Sequence, residues 1–214
     1  MPILDYIIVA VAAYLLGSIP TGFLVAKAKG IDIRKTGSGN IGATNAMRVL
    51  GKPAGIFVLL MDAAKGFFAV GLGYFIAKSY GAAETQIETA RILAGIFAVL
   101  GHNYTCWLKF KGGKGIATTA GVYLALAPWA VLVGLVVFIL AVLLTKYVSV
   151  GSIAAAIALP MTVWIMTPQN IFLGIVSTAL GALAIYKHKT NIQRLMAGTE
   201  NKLGKKASTP EKTK

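Results

Sequence analysis

Two mostly apolar runs, each long enough to cross a lipid bilayer, constrain the fold of this chain more than any other feature. They cover Ile3–Ala26 and Ala54–Ala77. A bilayer core of about 30 Å requires roughly 20 helical residues. Because every backbone N–H and C=O group inside it needs a partner within the protein, the runs predict helices. Asp5, rather than a lysine or arginine, stands at the start of the first run, so we expect a span there and not a signal peptide.

The composition points to an integral membrane protein. Charged residues make up 13% of the 214 residues and hydrophobic residues 57%, whereas a soluble domain carries about 25% charged residues. The net charge of +14 does not predict nucleic-acid binding, because the cations flank apolar runs instead of lining a soluble face. With one cysteine, Cys106, and two histidines, His102 and His188, we expect no intramolecular disulfide and no metal site.

We predict seven spans. A single helix from Ile116 to Leu144 would be about 43 Å long at 1.5 Å per residue, so we expect two short spans joined by a turn at Pro128. With the N-terminus outside, 18 of the 21 Lys and Arg residues then fall in cytoplasmic segments, in agreement with the positive-inside rule. The predicted spans are Ile3–Ala26, Ala54–Ala77, Arg91–Trp107, Ile116–Ala127, Trp129–Leu144, Val150–Met166 and Ile171–Tyr186.

The predicted fold class is therefore an all-α integral membrane protein with seven transmembrane helices, its N-terminus outside and its C-terminus cytoplasmic. Residues 1–200 form the seven-span domain, and residues 201–214 form a basic tail that we expect to be disordered. Asp62 and Lys65 stand three residues apart inside the second span, which predicts a buried ion pair. Small residues inside the spans predict close helix packing; they include Gly71, Gly73, Gly174 and Gly181.

Three polar or basic segments fall on the predicted cytoplasmic face: "KTGSGNIGATNAMR" at 35–48, "LKFKGGKGIAT" at 108–118 and "KHKTNIQRLMAGTEN" at 187–201. Their convergence indicates one site. In the first segment, five residues favour turns that aim N–H groups at an anion, and Arg48 offers a planar fork of donors for a phosphate or carboxylate. Those five residues are Gly37, Ser38, Gly39, Asn40 and Gly42.

The other two segments repeat the pattern. Lys114 stands between two glycines at the start of an apolar helix, where free N–H groups and the helix dipole favour an anion. His188 and Asn191 share a helix face if the last helix continues past the membrane, and His188 is a candidate general base. For each segment alone, an interfacial loop without a ligand is a comparable interpretation. The default role of Ser149 and Ser152 is helix capping.

Several catalytic motifs are absent from the sequence. There is no G-x-S-x-G nucleophile elbow and no H-E-x-x-H zinc motif, and Lys114 is not followed by Ser or Thr as in an ATP-binding P-loop. Neither His102 nor His188 is followed by the aspartate of a His-x4-Asp acyltransferase. The remaining prediction is a site that binds one or two phosphorylated molecules at the cytoplasmic end of an apolar helix bundle.

The segments "GSGNIGATNAMRVLGKPAG", "GHNYTCWLKFKGGKGIATTAG" and "KHKTNIQRLMAGTENKLG" resemble the signature segments of the bacterial acyl-phosphate:glycerol-3-phosphate acyltransferases, the PlsY family. The resemblance implies an enzyme of the bacterial inner membrane with a cytoplasmic active site and no metal or other cofactor. It implies transfer of a fatty acyl group from acyl phosphate to the sn-1 hydroxyl of glycerol 3-phosphate, giving lysophosphatidic acid and phosphate in the first acylation of phospholipid synthesis. Implied partners are these two substrates, membrane lipid and, transiently, a soluble enzyme that produces acyl phosphate.

The resemblance also implies roles for individual residues. Ser38, Arg48, Lys114, His188 and Asn191 match catalytic or phosphate-binding positions. The implied substrate-binding positions are Gly37, Gly39, Asn40, Thr44, Asn45, Gly112, Gly113, Gly115, Ser152 and Glu200. Ile41 stands where most relatives carry proline, a difference that affects the stiffness of the loop more than its chemistry. The acceptor of the hydroxyl proton is either a substrate phosphate or His188.

Two other functions stay open. A seven-span transporter of a phosphorylated metabolite would need the same kind of anion site, although basic clusters confined to one face argue against alternating access around a midplane site. An acyl-CoA-dependent acyltransferase is disfavoured by the missing His-x4-Asp pattern. A purely structural membrane anchor would leave the three polar segments without a role.

Overall fold

The computed structural model describes residues 1–203, which contain ten α-helices, two short 3₁₀ turns and no strand. The predicted basic tail of residues 201–214 lies outside the described residues from residue 204 onwards. In chain order the helices are α1 (Ile3–Ser18), α2 (Thr21–Lys27), α3 (Ala43–Leu50), α4 (Lys52–Ser79), α5 (Glu84–Asn103), α6 (Ile116–Leu126), α7 (Pro128–Thr145), α8 (Val148–Met166), α9 (Ile171–Lys187) and α10 (Lys189–Met196).

The all-α prediction is confirmed, and several helices are suited to a bilayer. Four stretches are long and apolar enough to cross one, and α9 with α10 makes a fifth if this pair, bent by 52°, counts as one span. The count of seven and the sidedness of the termini stay predictions. The four stretches are Ile3–Lys27, Lys52–Ser79, Pro128–Thr145 and Val148–Met166.

The first stretch is interrupted, although we predicted one continuous helix. α1 ends at Ser18 and α2 begins at Thr21. Pro20 has no N–H and its ring disfavours helical backbone at the preceding residue. The carbonyl of Ile19 at this break accepts a hydrogen bond from Lys65 Nζ at 2.8 Å. A lysine of α4 therefore replaces the helical partner that this carbonyl lacks.

The third predicted span has the wrong limits. It was expected at Arg91–Trp107, but α5 runs from Glu84 to Asn103. The polar residues before Arg91 resemble a loop in sequence, yet the Gln86 side chain accepts the N–H of Ala83 at 3.2 Å and so supports the start of the helix. After Asn103 the chain leaves the helix for the loop that carries Lys114.

The predicted break at Pro128 is confirmed, since α6 ends at Leu126 and Pro128 is the first residue of α7. With 11 residues, α6 is about 16 Å long, roughly half of a bilayer core. The last carbonyls of any helix lack helical partners. Here Arg91 of α5 donates to one of them, the carbonyl of Ala125, at 2.7 Å. A cation from the neighbouring helix therefore supports the end of this short helix.

Glycines bring the central helices into direct backbone contact. A Cβ on Gly17 of α1 would overlap the backbone of α5, and a Cβ on Gly66 of α4 would overlap the carbonyl of Thr118 in α6. Such contacts are typical of membrane helices. Of the glycines predicted to serve packing, all but Gly71 have a neighbour closer than 3.0 Å to a virtual Cβ; around Gly71 nothing lies within 4 Å.

The substitution Gly66→Ala is expected to destabilise the protein. Its methyl group would meet the Thr118 carbonyl, and overpacking of this kind costs about 1–3 kcal/mol. Thermal unfolding of the purified protein, followed by tryptophan fluorescence, should therefore begin several degrees lower. Gly71→Ala on the same helix is the matched control and should leave the transition unchanged or raise it slightly, because alanine is the better helix former. Equal losses in both variants would contradict this packing argument.

Candidate active site

One buried side chain, Asn45, organises the loop between α2 and α3. Its Nδ2 donates to the carbonyl oxygens of Asn40, Thr36 and Ile33 at 2.8, 3.0 and 3.3 Å. Its Oδ1 accepts the N–H of Ser38 at 2.9 Å. The amide is 2% exposed and its hydrogen-bonding groups are all engaged within the loop. Asn45 therefore shapes the loop and presents Ser38.

The glycines of this loop behave partly as predicted. Gly37 and Gly39 have φ of 61° and 71°, a left-handed conformation that glycine adopts without strain. Gly42 instead has φ of −79° and precedes α3. Its N–H donates to Asn40 Oδ1 at 2.8 Å. The expectation of turns with positive φ is thus confirmed for two of these three glycines.

The residues after Gly42, which we assigned to the polar loop, form α3. This helix places Thr44 and Arg48 four residues apart, and therefore on one face. The run of Gly, Asn and Thr in the sequence suggested a loop because these residues are weak helix formers. Packing of α3 on α4 overrides that preference: a Cβ on Gly55 of α4 would overlap Met47 of α3.

The loop that carries Lys114 is seated on the end of α5. Gly112 and Gly113 donate their N–H groups to the carbonyls of Asn103 and His102 at 3.2 and 3.0 Å. A Cβ on Gly113 would overlap the imidazole of His102. The two glycines thus allow close contact with α5, and their N–H groups are engaged there.

The chain bends where we expected a possible continuous helix. α9 ends at Lys187 and α10 starts at Lys189, with His188 at the bend of 52°. His188 Nδ1 lies 2.8 Å from the carbonyl oxygen of Ala184. Because a carbonyl oxygen can only accept a hydrogen bond, Nδ1 must carry the proton and donate it. In the neutral ring, the free lone pair is then on Nε2.

The carboxylate of Glu200 connects three elements around the site. Its Oε1 accepts from Asn191 Nδ2 at 2.7 Å and from Ser149 Oγ at 2.9 Å, and its Oε2 accepts from Arg194 Nε at 2.7 Å. Lys114 Nζ donates to Asn191 Oδ1. Glu200 therefore positions Asn191 and Arg194, and through Asn191 it reaches Lys114.

The two serines of α8 do not cap it, contrary to our default expectation. Ser149 Oγ donates to Glu200, as described, and Ser152 Oγ donates to the carbonyl of Val148 one turn back at 3.0 Å. Tyr147, not a serine, is the residue that precedes the helix. Both serines instead face the cavity formed by the three polar segments.

That cavity, of about 160 Å³, brings together eleven of the fifteen predicted site residues. The other four, Gly37, Gly39, Gly112 and Gly113, lie in the supporting loops outside its lining. Every residue predicted as catalytic lines the cavity. The eleven are Ser38, Asn40, Thr44, Asn45, Arg48, Lys114, Gly115, Ser152, His188, Asn191 and Glu200.

Further polar residues line the cavity although the sequence analysis did not assign them to the site. Arg194 follows Asn191 by three residues on α10, so helical spacing was a usable signal for it. Asp62 and His102 come from the middle of α4 and the end of α5, and no local pattern connects them. These residues are Asp62, His102, Ser149, Arg194 and Asn201.

Burial and neighbouring charges set the protonation states in the cavity. Burial lowers the pKa of Lys114 to about 8, with repulsion from Arg194 as a second cause. Burial also lowers the pKa of His188 to about 4. For Glu200, burial raises the pKa, but hydrogen bonds from Arg194, Asn191 and Ser149 outweigh it and the net shift is downward. At neutral pH the lysine is thus mostly charged, the histidine neutral and the glutamate ionised.

The predicted ion pair between Asp62 and Lys65 is confirmed, and Asp62 lines the cavity. Lys65 Nζ lies 2.8 Å from Asp62 Oδ1, and the two side chains are 5% and 4% exposed. His102 Nδ1 lies 3.6 Å from the same carboxylate oxygen. Within residues 1–203, no three His, Cys, Asp or Glu side chains are grouped as ligands for a metal ion.

An apolar groove of about 250 Å³ continues from the polar cavity between α6, α7, α8 and α9. The two spaces share four lining residues: Leu59, Ile116, Ala117 and Phe138. The site therefore has a cationic end, lined by Arg48, Lys114 and Arg194, and an apolar end within the bundle. A molecule with an anionic head and an alkyl tail matches both ends.

Comparison with known proteins agrees with this arrangement. Residues 7–198 match the protein family described as "Glycerol-3-phosphate acyltransferase". The protein of that name from Clostridioides difficile (strain 630) is 48% identical over 209 residues, which cover 96% of this chain and 99% of the relative. The one from Geotalea daltonii is 45% identical over 195 residues, which cover 91% and 96%.

Two crystal structures of PlsY (YgiH), an integral membrane glycerol 3-phosphate acyltransferase, have the same fold. The glycerol 3-phosphate form has 39% sequence identity and a TM-score of 0.82, with 93% of this chain and 96% of that chain covered. The lysophosphatidic acid form has 38% identity and a TM-score of 0.79, with 93% and 95% covered. By its sequence and its fold, the chain belongs to the glycerol-3-phosphate acyltransferase family, the PlsY family.

Proposed function

We propose that this protein transfers a fatty acyl group from acyl phosphate to the sn-1 hydroxyl of glycerol 3-phosphate, giving lysophosphatidic acid and inorganic phosphate. The observation that carries the proposal is the direct connection between the cationic cavity and the apolar groove. Both substrates carry a phosphate, and the donor also carries a long alkyl chain. The relatives' name supplies the acceptor, glycerol 3-phosphate.

The cations of the cavity are suited to two phosphate groups. Arg48 lies at the end of α3, Lys114 before α6, and Arg194 on α10, so they approach from three directions. Arginine binds phosphate through a planar fork of donors. The charge of Glu200 is engaged by Arg194 at 2.7 Å, and that of Asp62 by Lys65 at 2.8 Å. The two acids therefore oppose phosphate binding less than isolated carboxylates would.

The chemistry requires no covalent enzyme intermediate, because acyl phosphate is already an activated mixed anhydride. The hydroxyl oxygen attacks the acyl carbonyl carbon, the bond from that carbon to the phosphate oxygen breaks, and its electron pair leaves with phosphate. Positioning of the two substrates and electrostatic stabilisation of the oxyanion and the departing phosphate supply the acceleration. Arg48 and Lys114 are the residues we assign to this stabilisation.

The proton of the attacking hydroxyl goes either to a substrate phosphate or to His188. Neutral His188 with its free lone pair on Nε2 can accept a hydrogen bond from the hydroxyl and orient it. Its pKa of about 4 makes it a weaker base than a free histidine. A phosphate, with a second pKa near 6, is the better acceptor. We therefore assign His188 to orientation and the proton to the substrate.

We further infer a bacterial inner-membrane enzyme with seven spans, an outer N-terminus, and the active site on the cytoplasmic face. The distribution of basic residues along the sequence supports this topology. The donor would be supplied by a soluble enzyme that makes transient contact with the same basic face. No cofactor is required by the proposed reaction.

The reaction is tested with the purified protein, labelled glycerol 3-phosphate and three donors in parallel: acyl phosphate, acyl-CoA and acyl carrier protein. We expect labelled lysophosphatidic acid from acyl phosphate alone. Arg48→Ala and Lys114→Ala should each lower kcat by at least about 100-fold, because each removes a donor to charge that develops in the transition state. Lys111→Ala, an exposed lysine of the same segment, is the matched control and should retain activity.

The alternative functions give different results in that experiment. Product from a thioester donor only would overturn the donor assignment. If no donor gives product and counterflow of labelled glycerol 3-phosphate into vesicles is observed, the protein is a transporter.

Affinity for glycerol 3-phosphate should fall as the pH rises past the pKa of Lys114. That pKa is about 8, so the side chain loses its charge, and with it a charge-assisted hydrogen bond, between about pH 7 and pH 9. We expect KM for glycerol 3-phosphate to rise about fivefold over this interval. In Lys114→Arg the cation persists at both pH values, so KM should stay flat. An equal rise in the arginine variant would assign the effect to another group.

His188→Ala should lower kcat by about 100-fold through lost orientation while leaving the pH optimum in place. The measurement is kcat against pH in the wild type and in the variant. If the variant instead loses an acidic limb that the wild type shows, His188 is the general base and the proton does not go to the substrate phosphate.

A further inference from the structure

We propose that the far end of the apolar groove, which Val131 and Ser177 line and where Tyr123 holds Ser177 by a hydrogen bond, sets the length of the acyl chain that the enzyme accepts. The inference rests on the proposed function, since it concerns the tail of the acyl donor. It identifies specificity-determining residues of this chain rather than further catalytic ones.

The groove has a near end and a far end. Phe138, Ala117 and Leu59 line both the groove and the polar cavity, so they mark the near end. Along α9 the lining residues run from Ala184 to Ser177, and along α7 from Phe138 to Val131, away from the cavity in both cases. Ser177 and Val131 therefore lie at the far end.

Ser177, which lines the far end, belongs to a hydrogen-bonded pair whose other member, Tyr123, lies behind the groove lining. Tyr123 OH on α6 donates to Ser177 Oγ on α9 at 2.8 Å, and Ser177 Oγ donates to the carbonyl of Leu173 at 2.6 Å. Tyr123 is 0% exposed. Each hydroxyl hydrogen has an acceptor, so the pair is stable in an apolar setting.

The space beyond this pair is filled by the apolar core. Ala130, Val163 and Leu173 are buried there, with exposures of 2%, 1% and 3%. They belong to one packed cluster with Tyr123, against which Val131 also packs. Protein interiors of this kind have few voids larger than a water molecule. An alkyl chain that reaches Ser177 has no continuing path in this direction.

The length of the available path follows from the helix rise. His188, at the proposed reaction centre, directly follows α9, and Ser177 lies about 16 Å from it along the helix at 1.5 Å per residue. An extended alkyl chain advances about 1.25 Å per carbon, given a C–C bond near 1.52 Å and a tetrahedral angle. The groove thus accepts roughly 13 carbons in an extended chain, and longer chains must bend or leave it.

A substitution at one position on the groove wall should shorten the acyl chain that the groove accepts. Gly134 of α7 lines the groove between Phe138 and Val131. A Cβ there would meet no atom closer than the carbonyl oxygen of Ala155 at 4.0 Å. A leucine side chain at this position would therefore enter the groove and occupy the space needed by the end of a long chain.

The test compares kcat/KM for octanoyl, lauroyl, myristoyl, palmitoyl and stearoyl phosphate. Gly134→Leu should shift the preference to shorter chains, changing the ratio of lauroyl to palmitoyl activity by at least about tenfold. Val131→Ala, which deepens the far end by two methyl groups, should shift the optimum to longer chains. Val133→Ala removes the same two methyl groups from a side chain that is 39% exposed and does not line the groove, and it should keep the wild-type profile.

Failure of this inference and failure of the proposed function look different. If the wild type transfers acyl groups and both groove variants keep its chain-length profile, the far end does not determine length. If the wild type uses no acyl phosphate of any length, the proposed function itself fails. Should Gly134→Leu prevent folding, the direction of the shift in Val131→Ala decides alone, and an unchanged profile there overturns the proposal.

Discussion

The rest of the site depends on the buried ion pair between Asp62 and Lys65. A single charge at this depth in a bilayer is costly, and removing either partner would leave the other uncompensated. Lys65 also donates to the carbonyl of Ile19 at the break before Pro20, and Asp62 faces His102 at 3.6 Å. His102 in turn supports the loop that carries Lys114. One pair of charges therefore connects the end of α1, α4 and α5 to the principal cation of the cavity.

The polar cavity and the apolar groove adjoin each other, because part of their lining is common to both. Leu59, Ile116, Ala117 and Phe138 face both spaces. The two substrates that we propose, a water-soluble phosphate ester and a lipid-like anhydride, would therefore meet without either leaving its preferred surroundings. In the proposed reaction the donor is already activated, so the cavity would need no nucleophilic side chain, and we assign its residues to orientation and stabilisation. The low pKa of His188 is consistent with this division, because a neutral imidazole can orient a hydroxyl without carrying charge.

Because hydropathy and glycine-rich polar segments are local signals, the sequence predicted the long helices, and eleven of its fifteen predicted site residues line the cavity. It located the break at Pro128 for the same reason. It missed the break at Pro20, since the flanking residues are apolar enough to read as one span, and it missed α3, whose helix is stabilised by packing on α4. Asp62 and His102 line the cavity only because α4 and α5 pack closely together. Such packing is a tertiary feature that cannot be recognised from a local sequence pattern. The part that Glu200 plays in positioning its neighbours likewise became visible only from its contacts with Ser149 and Arg194 in the structure.

The position of Glu200 also has a consequence for how the protein is made. The residues of the site are distributed from Ser38 to Glu200, and the N–H of Leu203 donates to the carbonyl of Lys146 at 2.7 Å, which fastens the last described segment to the start of α8. A nascent chain could therefore insert every helix and still lack the acid that orients Asn191. The hydrogen bonds around Glu200 form only once translation has passed the final helix, so a prematurely terminated polypeptide would insert its helices without completing the proposed site.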